Sequence, residues 1–201
     1  MIVLQYAASR YPAALVNVQE IMKTILKPCR VPWWISPTSG CVTITHTETD
    51  VAPGCIVVFG GGRLQDDDKT DNRRIEITFD DCYFARTGPH SDTEDIESIG
   101  YELTPKNDAL TRDGLGKYIA RWRSTGICPD SRFYVATQSA WLENIPELYR
   151  NDCRHYVVYG RDGHVELIAR GFRWREWKWL SGHLDDAPKN GAIVGEGAGV
   201  E

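Results

Sequence analysis

A thiol and an imidazole stand two residues apart at Cys153 and His155, in a stretch whose valines and tyrosines mark it as a strand. Residues i and i+2 of a strand share a face. Gly160-Arg-Asp-Gly163 follows. Asp-Gly between apolar runs is the strongest short hairpin signal, because a type I′ turn needs positive φ at both central residues. With Asp162 and Gly163 at the centre, His155 lies opposite Arg170 and Glu166 opposite Tyr159, on the face that Cys153 and His155 share. Thiolate, imidazole and carboxylate are the parts of a cysteine nucleophile, its base and its orienter. The plainer alternative is a half-buried, hydrogen-bonded histidine: Arg170 beside His155 disfavours imidazolium, and no helix N-terminus is aimed at Cys153.

A second polar group is Thr87-Gly-Pro-His-Ser-Asp-Thr-Glu-Asp95. His90, Asp92, Glu94 and Asp95 offer an imidazole and three carboxylates, a donor set for a divalent cation. Their spacing fits no calcium loop, and Ser91 or Asp92 serves equally as a helix cap with acids in the first turn. Gly60-Gly-Gly-Arg63 lacks the Gly-Lys-Ser/Thr ending of a phosphate loop, and the acidic run after it repels phosphate. It reads as a flexible hairpin exit.

Phe172, Trp174, Trp177 and Trp179 interleave with Arg170, Arg173, Arg175 and Lys178. Aromatic faces beside cations stack bases or sugars, or anchor a protein interface. Alternation puts Phe172 and Trp174 on one side and Trp177 and Trp179 on the other, so one pair belongs to the core.

These groups need a scaffold. Ser9 to Leu26 reads as an amphipathic helix, with Ala14, Leu15, Val18, Ile21, Met22 and Ile25 at helical spacing and Pro28 as its stop. Residues 41–47, 55–59, 73–80 and 132–137 have strand chemistry, and 101–104 suits a short strand. Cys82 to Arg86 prolongs the preceding strand past a bulge at Asp80-Asp81. Leu115 to Arg123 is a short helix, and 138–149 a helical or irregular excursion. The expected class is α+β: a mainly antiparallel, twisted sheet of six or seven strands, with the N-terminal helix and the short second helix packed on it. A single domain spans 1–184, and 185–201 is a flexible Gly/Ala-rich tail.

The 201 residues carry a net charge of −5, against a generally basic nucleic-acid binder, and contain no apolar run of membrane-spanning length. Met1 to Tyr6 is too short for a signal core, so a cytoplasmic site is expected. The six cysteines show no Cys-x-x-Cys spacing and read as buried thiols, with an oxidised framework the alternative. No cofactor motif stands out. Charge is uneven: Leu64 to Glu102 is strongly acidic, whereas Arg150 to Leu180 is net basic.

The reading this favours is a non-enzymatic module that binds another protein, of toxin-neutralising (immunity) or regulatory type. It would use Asp66, Asp67, Asp68, Asp92, Glu94 and Asp95, together with Arg173, Trp174, Arg175 and Trp177. The rivals are a hydrolase, using His90, Asp92 and Glu94 with a metal or Cys153 with His155 and Glu166, and a sugar- or nucleotide-binding module using the C-terminal tryptophans.

Overall fold

The computed structural model describes residues 23–36, 43–48, 53–89, 96–98, 100–104, 114–178 and 193–196. In chain order these form β1 (Thr24–Pro28), β2 (Trp33–Ile35), β3 (Thr43–Glu48), β4 (Pro53–Arg63), β5 (Arg73–Asp80), β6 (Phe84–Pro89), β7 (Tyr101–Leu103), α1 (Gly114–Thr125), β8 (Phe133–Thr137), α2 (Ala140–Glu143), α3 (Glu147–Arg150), β9 (Arg154–Tyr159), β10 (Gly163–Ala169), β11 (Gly171–Lys178) and β12 (Ile193–Glu196).

The strands make two sheets. The first runs β6-β10-β9-β8-β1-β7; the second runs β12-β11-β5-β4-β2, with β3 also on β4. Pairing is antiparallel except between β1 and β7. The sheets share one core. Alternation turns Cys55, Val57 and Phe59 of β4 and Ile75, Ile77 and Phe79 of β5 inward. From the first sheet, Phe133, Val135, Tyr156, Val158, Val165 and Leu167 meet them. Phe133 is the hub: it stacks on Trp33 (6.1 Å between centroids) and meets Phe79 and Phe172 edge to face. Burying one such side chain contributes roughly 1.5–3 kcal/mol.

The middle of the first sheet is buried on both faces. Its outer face carries Leu26, Tyr101, Tyr134, Val157 and Tyr159 at one end, and Cys153 and Ile168, under Ile145 and Trp141, at the other. That second layer explains why β8, β9 and β10 read as nearly unbroken apolar runs instead of alternating.

Several expectations are corrected. The described residues do not form an α+β fold with helices packed on a single sheet; they are mostly β, in two sheets. Of the residues assigned to that helix, Thr24 to Leu26 belong to a strand, because β8 and β7 offer them backbone partners on both sides. The remainder lies outside the described residues apart from Lys23. Gly60 to Gly62 does not end its strand. It lies within β4, where Gly61 and Gly62 allow the Trp34 and Asp71 carbonyls to approach closely. Cys82 to Arg86 does not prolong β5: Asp81, at φ 49°, turns the chain across to the first sheet, where β6 pairs with β10. In the β9–β10 hairpin, Tyr159 pairs with His164 and the Gly160 amide donates to the Gly163 carbonyl at 2.9 Å. The central residues are therefore Arg161 and Asp162, and neither has positive φ. His155 thus faces Ile168 and Glu166 faces Val157. Each partner moves by two positions, an even shift that leaves the faces unchanged.

Of the stretch expected as a tail, Ile193–Glu196 pairs with β11; the rest lies outside the described residues. Among those residues no helix is long and apolar enough to cross a membrane.

Candidate functional site

Two places concentrate polar chemistry. The first is on the outer face of the first sheet. β8 ends at Thr137, Gln138 takes φ 56°, and Ser139 then opens α2 as its N-cap, its Oγ accepting the Leu142 amide at 3.1 Å. The same hydroxyl lies 2.8 Å from His155 Nδ1. Across the ring, His155 Nε2 is 3.0 Å from Glu166 Oε2. A carboxylate only accepts, so Nε2 carries the proton that faces Glu166, and in the neutral ring Nδ1 accepts from Ser139. Ser139, His155 and Glu166 are 4%, 1% and 4% exposed.

Glu166 gathers further donors. Arg86 reaches Oε2 at 2.7 Å, His164 Nε2 is 3.3 Å from Oε1, and the Tyr101 hydroxyl also bonds the carboxylate. Burial pushes the Glu166 pKa up, but these donors together outweigh it and hold the carboxyl well below the usual carboxylate range. The Arg86 guanidinium lies 4.2 Å from the centre of the Trp141 ring, and Trp141 stands edge-on to His155 at 5.1 Å. Arginine and tryptophan thus roof the cluster.

Cys153 is not drawn into it. Both ring nitrogens of His155 are occupied by Ser139 and Glu166, while Cys153 packs with Ile145 and Ile168, its thiol pushed up chiefly by burial. His155 and Glu166 meet, as their shared face requires; the hydroxyl of Ser139 holds the position expected of the thiol. Sequence reasoning missed Ser139, Arg86, Tyr101 and His164. Ser139 leaves a local signal as a helix-capping residue ahead of Ala-Trp-Leu-Glu, and His164 leaves one as the residue two before Glu166 on the same strand face.

The second place is the solvent face of the second sheet. Alternation along β11 sends Phe172, Trp174 and Glu176 inward and Arg173, Arg175 and Trp177 outward. Trp174 packs edge-on against Trp33 at 5.9 Å, inside the core. Glu176 is buried beside Arg63 (2.7 Å) and Arg73 (3.0 Å). On the open side, Arg175 pairs with Glu76 at 2.7 Å, Arg173 pairs with Asp80, and Arg74 and Arg175 each lie 5.4 Å from the Trp177 ring centre. Ile56 and Val58 of β4 continue this face, half-buried.

The acidic loop between β4 and β5 is partly neutralised from within. Asp68 pairs with Arg123 of α1, which also donates to the Asp66 carbonyl, and Asp67 pairs with Lys69 at 3.0 Å. His90, Asp92, Glu94 and Asp95 lie outside the described residues.

No family model matches the chain, and no curated protein or solved structure matches it significantly.

Proposed function

We propose that this chain is a non-enzymatic binding protein that engages another protein through the solvent face of its second sheet, in a regulatory or toxin-neutralising role. The observation that carries the reading is Trp177, half-buried on the outward side of β11 with Arg74 and Arg175 beside its ring, on a face edged by the Arg173–Asp80 and Arg175–Glu76 pairs. Tryptophan and arginine supply most hot-spot energy at protein interfaces, and paired charges around them set register and exclude wrong partners. The half-buried Ile56 and Val58 add an apolar floor. The test is affinity capture from cells that make the protein, comparing wild type with an R173E/R175E variant of unchanged circular dichroism. The proposal expects a partner recovered by the wild type and lost with the variant. Identical recovery from both would remove it.

A hydrolase is the second reading, and one observation favours it: Ser139, His155 and Glu166 form a bonded nucleophile–base–orienter series. Against it, Ser139 is buried and its oxygen already caps α2. A fluorophosphonate probe decides, since labelling that disappears in S139A would favour the enzyme and no labelling would retire it.

A further inference from the structure

Two thiols from different strands converge in the inter-sheet core. Cys55 lies on β4; Cys82 follows Asp81, whose φ of 49° takes the chain out of β5. The Cys82 amide donates to the Pro53 carbonyl at 2.9 Å, laying its backbone beside the start of β4. Both side chains are fully buried in the core the two sheets share. Their sulfurs are 2.6 Å apart. Unbonded carbon atoms rest at about 3.5–4.0 Å and sulfur is larger than carbon, so the two sulfurs stand closer than unbonded contact allows, though beyond the about 2.05 Å of a formed disulfide.

We infer that Cys55 and Cys82 form a disulfide that clamps the start of β4 to the exit of β5. The chemistry is thiol–disulfide exchange with a low-molecular-weight disulfide such as glutathione disulfide. One cysteine thiolate attacks the oxidant, forming a mixed disulfide and releasing one glutathione thiolate. The second cysteine thiolate then attacks the protein sulfur of the mixed disulfide, forming the intramolecular S–S bond and releasing the second glutathione. The protein loses two protons and two electrons, and the oxidant becomes two thiols. Because both sulfurs are sealed from solvent in the folded sandwich, the exchange takes place while the strands are still open during folding.

This inference is independent of the binding face. The test is refolding of the full chain in an oxidising glutathione buffer and, in parallel, with excess reductant, followed by alkylation under denaturing conditions and peptide mapping. A C41S variant leaves one cysteine, Cys55, on the tryptic peptide spanning 31–63, while Cys82 lies on the peptide spanning 75–86. The expected result is a linked 31–63/75–86 peptide in both wild type and C41S. Intact oxidised protein should be lighter than reduced protein by two hydrogens, and its urea midpoint higher. Full alkylation of Cys55 and Cys82 after oxidative refolding, or a bond from either to another cysteine, would overturn the inference.

Discussion

His155 and Glu166 meet diagonally across β9 and β10: Nε2 lies 3.0 Å from Oε2, although His155 directly faces Ile168 and Glu166 directly faces Val157. Diagonal neighbours of an antiparallel pair are within reach of long side chains. This contact joins the N-cap of α2 to the exposed guanidinium of Arg86 through three buried groups.

Glu166 accepts from four side chains, so its charge stabilises the fold. E166Q is expected to cost about 2–4 kcal/mol in urea denaturation at pH 7. The folded pKa of Glu166 is depressed, so its contribution is fully present above the unfolded value of about 4.3. It is lost as pH falls through the folded pKa. The difference between wild type and E166Q should therefore stay constant from about pH 6 to 8 and shrink progressively as pH falls below about 5. A constant difference down to the lowest pH at which both fold would contradict this assignment.

Ser139 both caps α2 and meets His155. S139A is expected to lose about 1–2 kcal/mol, with S139T retaining most of the stability if its methyl group is accommodated. Equal stability of S139A and wild type would show that neither bond matters.

Much of the second sheet was legible because one of its faces is open to solvent. Arg73 to Asp80 alternates apolar and polar, and that stretch is β5 end to end. The N-terminal helix failed at its C-terminal end for the complementary reason: Ile21, Met22 and Ile25 continue a helical spacing, yet the pairing of Thr24 to Leu26 with two neighbouring strands is invisible locally. His155 and Glu166 were found because strand parity survives an even error in register. Arg86 and Tyr101 were not placed beside them, since β6 pairs with β10, and Tyr101 joins the first sheet as part of β7 beside β1, only through long-range topology; His164, two residues from Glu166 on one strand, was within reach of the same parity argument.

Two glycines separate backbone from side-chain crowding. A β-carbon at Gly62 would strike the Asp71 carbonyl, whereas one at Gly88 would strike the His164 imidazole. Each alanine substitution should cost about 1–3 kcal/mol, with G62A the worse because backbone cannot rotate aside. A smaller loss for G62A than for G88A, in thermal melts of both, would contradict the close strand packing.

The shared core makes Phe133 central and leaves Leu148 of α3 81% exposed. F133A should lose about 3–5 kcal/mol, and L148A less than about 0.5 kcal/mol. Similar losses for both in chemical denaturation would rule out the two-sheet arrangement.

The most direct measurement places a photo-crosslinking amino acid at position 177, and separately at Ser124 on exposed α1, in cells that make the protein. Attachment of one discrete partner at position 177, absent at position 124 and abolished by R173E/R175E, is the expected result. No adduct at 177, or the same adducts from both positions, would show that this face does not bind.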